Sequence, residues 1–252
     1  MDIRAYLKRL DYTGAIAPNA ETLRLLQLAH LRAVPFENLS IHSGEPVVLD
    51  DRALFEKIVS RRRGGFCYEL NGLFAALLRA LGFEVEMLSA QVANAEGIFG
   101  PDFDHMTLMV TRADRWLVDV GFGDSFPEPL RLDEESTQGH GIHTYRIERE
   151  GEFLVLMKQT NENEWKSQYR FTLKPYQYSD FAEMCRYHQT SSQSHFTRAR
   201  ICSRATTDGR ITLSGLRLIT SADDGLRQER ILTNDEEYAT ILRDHFGIVM
   251  AS

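Results

Sequence analysis

RRRGGFCYELNGLF, residues 61–74, sets one cysteine between a glycine pair and the apolar stripe of a helix. The run from Cys67 to Gly82 spaces Leu70, Leu73, Phe74, Leu77, Leu78 and Leu81 along one face and stops at a glycine, which predicts a helix with Cys67 in its first turn. A thiol there meets the positive end of the helix dipole and amides with no intrahelical acceptor, both of which favour thiolate. Gly64 and Gly65 let the backbone come close, and the same amides are donors for an oxyanion formed when sulfur attacks a carbonyl. The other reading of Cys67 is a small buried hydrophobe. A nucleophile needs a base, and the base an orienting group, so the rest of the chain decides between the two.

Upstream of this stretch the apolar spacing is helical. Asn19 is placed to cap a segment with Leu23, Leu26 and Leu31, and Asp50 or Asp51 another through Leu54 and Ile58. Downstream of Gly82 the period changes to two, with strands predicted at 84–92, 105–111, 115–120, 143–149, 151–158 and 164–172, an antiparallel sheet or barrel. The last third is mixed: a helix over 179–189, an Asp-Gly hairpin signal in TTDGRITL, and a final helix capped by Asn234. The expected division is a helical bundle over 1–82, a β-barrel over 83–175 and an α/β lid over 176–252, an α+β chain with no evident linker.

With 252 residues, 43% hydrophobic and 26% charged, the chain has enough apolar material for a substantial core. Its net charge of −7 argues against a nucleic-acid partner, and Arg61-Arg62-Arg63 is too short to be a basic tract. Three cysteines, Cys67, Cys185 and Cys202, form no CxxC and no even framework, which implies reduced thiols and a cytoplasmic location. The first residues, MDIRAYLKRLDYTG, lack an apolar signal core, and no run is long enough to span a membrane. His140 and His143 in GHGIH lie among glycines with no third ligand in view, so no metal is expected. Cys185 and Cys202 read as packing residues.

A base and an orienting carboxylate come from one hairpin. In DHMTLMVTRADRWLVDVGFG, residues 104–123, a turn at Arg112-Ala113-Asp114 sets His105 nearly opposite Gly121 and Asp119 nearly opposite Thr107. The two are then diagonal neighbours on one face, roughly 7–8 Å apart between backbones and within side-chain reach. Asp119 stands between Val118 and Val120, where an ionised carboxylate needs a partner.

These stretches resemble the arylamine N-acetyltransferase family. VPFENL at 34–39, RGGFCYELNGLF at 63–74, HMTLMV at 105–110, WLVDVGFG at 116–123 and SQSHF at 192–196 carry the resemblance, in that order. It implies a catalytic triad of Cys67, His105 and Asp119 on a three-lobed fold with a core like that of the cysteine proteases: helical bundle, β-barrel and α/β lid. It also implies that Phe36, Phe122 and Phe196 face the acceptor pocket, ordinary core packing being the other reading. Glu37 and Arg63 match positions of a structural ion pair beside the cysteine loop, the alternative being exposed charges. The segment AEGIFGPDFD before His105 is shorter than many members carry, which bears on the pocket's shape.

The implied reaction moves an acetyl group from acetyl-CoA, through acetyl-Cys67, to an arylamine, arylhydrazine or hydrazide. Acetyl-CoA is implied by the resemblance alone, since the sequence holds no phosphate-cradling glycine motif and names no coenzyme-binding residue. Three alternatives share the triad or its scaffold: an amide synthase closing a macrolactam from a carrier-bound acyl chain, a thiol hydrolase, and a binding protein that keeps only the pocket. The sequence is silent on oligomeric state.

Overall fold

The expected caps are made in the computed structural model, which describes residues 1–124, 126–140, 143–161 and 164–250. The imidazoles of His140 and His143 lie outside the described part. α1 (Ile3–Arg9) leads to α2 (Ala20–Ala33), whose cap Asn19 accepts from the Thr22 N–H at 2.9 Å. After the two-residue strand β1 (Phe36–Glu37) and the short α3 (Leu39–Ser43), Asp50 caps α4 (Asp51–Phe55) by accepting from Ala53 N–H at 3.0 Å. α4 runs on into a π-turn over Glu56–Ser60, and α5 (Cys67–Ala80) follows. Caps of this kind are each worth about 1 kcal/mol.

α5 is the centre of the helical region. Leu70, Leu73, Phe74, Leu77 and Leu78 share a core with Tyr6 of α1, Leu26 of α2 and Leu54 of α4, with the His30 ring of α2 5.1 Å from that of Phe74, while Tyr68 lies against the rings of Phe181 and His188. Its polar positions Glu69 and Asn71 are buried as well, so the helix is enclosed on nearly every side. Gly82, at φ +91°, ends it, as its position after the apolar stripe predicts.

Eight strands follow: β2 (Glu84–Val92), β3 (His105–Thr111), β4 (Arg115–Val118), β5 (Leu130–Arg131), β6 (Gln138–His140), β7 (His143–Glu150), β8 (Phe153–Asn161) and β9 (Glu164–Tyr176). They form one antiparallel sheet in the order β5-β4-β3-β2-β9-β8-β7-β6. It curls into a nearly closed barrel whose seam is spanned by a side chain: Arg131 N–H donates to Gln138 Oε1 at 2.7 Å, and Gln138 Nε2 donates to Arg131 O at 2.9 Å. Leu88, Leu117, Leu154, Leu156, Tyr169 and Phe171 fill the interior. β3 is covered on both faces, with Met106, Leu108 and Val110 in the core shared with α5 and Met109 in the barrel core. That is why HMTLMV lacks a polar alternation.

β4 ends at Val118, short of the expected 120. The next two amides leave the ladder for side chains, Asp119 N–H for Gln27 Oε1 at 3.4 Å and Val120 N–H for Asn71 Oδ1 at 2.9 Å.

The last third begins with a 3₁₀ turn at Tyr178–Phe181, α6 (Ala182–Thr190) and α7 (His195–Arg198). β10 (Ile201–Ala205), β11 (Gly209–Ser214), β12 (Arg217–Ala222) and β13 (Arg227–Ile231) then form a second antiparallel sheet, covered by α8 (Asp235–Phe246). Asn234 caps α8 as expected, accepting from Glu237 N–H at 2.9 Å. This sheet takes its edge from far upstream: β1 pairs with β10, Phe36 opposite Ser203 and Glu37 opposite Cys202. No helix is long and apolar enough to cross a membrane among the described residues.

Candidate active site

The segment before α5 is locked by two buried ion pairs. Arg63 donates from Nε to Glu37 Oε1 at 2.9 Å and from Nη2 to Glu37 Oε2 at 3.1 Å, and Glu37 also accepts from the N–H groups of Leu39 and Gly64. The pair that the motif suggested is therefore formed and enclosed, with every carboxylate lone pair used. A β-carbon on Gly64 would stand 1.9 Å from Pro35 O, so only glycine lets the two segments touch. The second pair is Lys57 Nζ with Glu69 Oε1 at 2.7 Å; Glu69 Oε2 accepts from Phe66 N–H at 3.1 Å, the carboxylate half of a capping box. Burial raises the Glu69 carboxyl despite Lys57.

Cys67 is the first residue of α5 and only 3% exposed. Burial pushes its thiol well up, while a hydrogen bond from the Met106 backbone N–H and the nearby carboxylates of Asp119 and Asp104 pull in opposite directions. Burial thus acts on this sulfur against the helix end. Burial also raises Cys185, to about 12, and Cys202. Cys185 lies on α6 within reach of Gln189 Nε2 at 3.3 Å, and Cys202 in β10, both packing positions.

The hairpin register is the expected one. Leu108 pairs with Val118, and continuing by one and three places sets Thr107 opposite Asp119 and His105 opposite Gly121. His105 Nε2 lies 2.7 Å from Asp119 Oδ2. Asp119 is wholly buried and, among the described residues, accepts four bonds: Oδ2 from His105 and the Tyr169 hydroxyl at 3.1 Å, Oδ1 from Asn71 Nδ2 at 2.9 Å and Gly121 N–H at 2.8 Å. Burial alone would raise this carboxyl, yet His105 and these donors hold it below the usual carboxylate range.

Cys67 is brought to this pair from both sides. The Met106 N–H, next to His105, acts on its sulfur, and its Cα lies where a β-carbon on Gly121 would approach to 2.8 Å. Any side chain at 121 would push the cysteine helix off the hairpin. Asn71, one turn beyond Cys67, is the clamp between them, donating to Met106 O at 2.6 Å and to Asp119 while accepting from Val120 N–H. Sequence reading passed over Asn71, although a polar residue four places after the cysteine on an apolar helix is a signal. Tyr169 and Gln27 carry no comparable mark.

The three phenylalanines separate. Phe122 lies edge-on to His105 at 5.2 Å and to Tyr169 at 5.1 Å. Phe36 and Phe122 both line a cleft of about 650 Å³ that is completed by Ile201, Ser203 and Thr212 of the second sheet. Phe196 stands behind them, 6.1 Å from Phe36 and 5.5 Å from Phe66, with its ring edge-on to His188 at 5.1 Å. His188 in turn meets Ser194 Oγ through Nδ1 at 3.1 Å and faces Asp104 Oδ1 at 3.3 Å, an arrangement the sequence reading did not anticipate.

Comparison with known proteins identifies the family. The family model described as N-acetyltransferase matches residues 19–252. The arylamine N-acetyltransferase of Escherichia coli K12 is 34% identical over 246 residues, 96% of this chain and 87% of that protein. The proansamycin X synthase of Amycolatopsis mediterranei is 32% identical over 250 residues, 96% of this chain and 95% of that protein. Among solved structures, the Salmonella typhimurium arylamine N-acetyltransferase superimposes with a TM-score of 0.93 at 33% identity, covering 99% of this chain and 92% of that one. The Mycobacterium marinum enzyme in complex with CoA gives 0.91 at 34% identity, covering 98% and 93%. By sequence, fold and the arrangement around Cys67, the chain belongs to the arylamine N-acetyltransferase family.

Proposed function

We propose that the chain transfers an acetyl group from acetyl-CoA to the nitrogen of an arylamine, arylhydrazine or hydrazide, with Cys67 as nucleophile, His105 as acid and base, and Asp119 as orienting carboxylate. The observation that carries this reading is the fully satisfied Asp119 carboxylate bonded to His105 beside the Cys67 sulfur. With Nε2–H donated to Asp119, the neutral ring has its lone pair on Nδ1. Burial disfavours a bare thiolate, so Nδ1 takes the thiol proton as the sulfur attacks the acetyl carbonyl. The imidazolium formed is stabilised by Asp119 and protonates the departing CoA sulfur, leaving acetyl-Cys67. The Cys67 and Tyr68 amides, which have no acceptor within the helix, are donors for the transient oxyanion.

In the second half the amine attacks acetyl-Cys67, Nδ1 accepts its proton, and the thiol is regenerated. Aryl amines suit this because they are neutral near pH 7. Phe122 and Phe36 give the cleft an aromatic wall for such an acceptor. CoA in the Mycobacterium marinum structure supports a CoA thioester as donor. The domain division 1–82, 83–175 and 176–252 is part of the same proposal.

Two measurements test it. Incubation with acetyl-CoA alone, followed by intact mass analysis and peptide mapping, should leave one acetyl group on Cys67. Initial rates with varied acetyl-CoA and an aryl hydrazine should give parallel double-reciprocal lines, because CoA departs before the acceptor reacts. Intersecting lines would point to direct transfer. Release of acetate at a rate indifferent to the amine would mark a hydrolase. The relative named proansamycin X synthase motivates a second reading, an amide synthase. Failure of acetyl-CoA to acylate a Cys67 that a long-chain thioester labels readily would favour it.

A further inference from the structure

The three consecutive arginines before the cysteine loop go three different ways. Arg61 pairs with Glu45 at 2.7 Å, and Arg63 with Glu37. Arg62, held at φ +54° where glycine would sit more easily, keeps its side chain in a groove with Lys8, Arg9, Arg32 and Arg204. The groove has a volume of about 760 Å³, and Asp11 is the one carboxylate lining it. Among the described residues none of these five cations has a carboxylate within ion-pair distance, Asp11 included.

In a chain of net charge −7, such a concentration of unopposed positive charge is costly. Arg9 is the extreme case. It is 5% exposed and bonds only carbonyls, those of Ile58, Ala33, Arg62 and Arg63. Burial and the neighbouring Arg62 and Arg204 lower it to about 10. Arg204 donates to Arg32 O and His245 O, and its buried Nε has no acceptor among the described residues. An anion seated here would oppose all of these charges at once.

We propose that this groove is an anion site for a ligand bearing two or more adjacent phosphate charges. Guanidinium forks match phosphate oxygens bidentately, and several unopposed cations call for more than one negative charge. The phosphates have two possible sources, a free polyphosphate ester or the phosphate end of the coenzyme. Leu28 and Arg32 line both this groove and the cleft that holds Phe36 and Phe122, so the two spaces adjoin. Only the coenzyme source rests on the function proposed above; the site itself does not.

The test is calorimetric titration of the full chain with inorganic tripolyphosphate at low and high salt. Saturable binding that weakens with salt is expected. Arg32 and Arg62 are exposed side chains, so the Arg32→Gln/Arg62→Gln variant should fold and lose about tenfold or more in affinity, as expected for removed charge-assisted hydrogen bonds. The exposed Arg52→Gln, outside the groove, should bind as the parent does. Absence of saturable binding, equal affinity in the double variant, or equal loss in Arg52→Gln would overturn the site. If tripolyphosphate raises the KM for acetyl-CoA without changing kcat, the coenzyme is the source. If it binds with that KM unchanged, the site serves a separate phosphorylated ligand.

Discussion

Asp119 has no contact with solvent, yet its four donors hold it ionised, two on each oxygen. An amide in its place loses more than charge. It cannot accept the His105 Nε2–H and the other three donors together, and the ring is free to take the wrong tautomer. Asp119→Asn should therefore lower kcat by roughly 10³–10⁴ when compared at equal folded fraction, as tautomer loss does in comparable triads. Near-parental turnover in a folded Asp119→Asn protein would remove Asp119 from the mechanism. Alkylation offers a separate check at this scale. All three thiols are raised by burial, so Cys67 should react first with iodoacetamide only through its base, and that preference should disappear in His105→Ala. His105 and Asp119 were legible because hairpin register is simple counting. Tyr169 was not, because β9 reaches the site fifty residues later through register shifts against both neighbours.

The cysteine helix owes its start to charges that its apolar stripe does not announce. Glu69 closes the cap on Phe66 and is neutralised by Lys57 from the preceding π-turn, both nearly enclosed. Removing one member of such a pair leaves an uncompensated buried charge and costs about 3–5 kcal/mol. Lys57→Met should show a deficit of that order in chemical denaturation near pH 7. The sign of its pH dependence follows from Glu69, already raised by burial and raised further without Lys57. Below its raised folded pKa the native state takes up a proton that the unfolded state, near 4.5, does not, so the deficit should shrink as pH falls towards 4.5. A deficit independent of pH between 7 and about 5 would mean that Glu69 is not the group left exposed to the loss. The helix itself was plain from its stripe and its terminal glycine. The two-residue β1 was not, because its partner β10 lies far down the chain and its neighbour Gly65 must approach within bonding distance.

At the scale of the whole molecule, burial of acidic groups that stay neutral sets the alkaline limit. Cys67, Cys185 and Cys202 are all raised above 9.0, and the buried Tyr68, Tyr145 and Tyr169 and the half-buried Tyr178 above 10.0. Above these values the unfolded chain loses protons that the folded one keeps, so stability is present below pH 9 and lost as pH rises. Each fully retained proton contributes a slope of about 1.4 kcal/mol per pH unit. Thermal unfolding followed from pH 8 to about 11 should show a falling Tm, less steep in Cys185→Ala/Cys202→Ala. An unchanged slope in that variant would show that these two thiols do not carry the effect. Local order was determined by the sequence itself: caps at Asn19, Asp50 and Asn234, the α5 stripe, and the β3–β4 register that aligns His105 with Asp119 all follow from spacing within about twenty residues. Tertiary structure alone decided the rest. The barrel seam through Gln138, the Asn71 clamp, the β1–β10 pairing and the convergence of Arg9, Arg62 and Arg204 join residues whose separation erases any periodic signal. Burial then opposed the local preference at Cys67, because removing a thiol from water raises its pKa where a helix end lowers it.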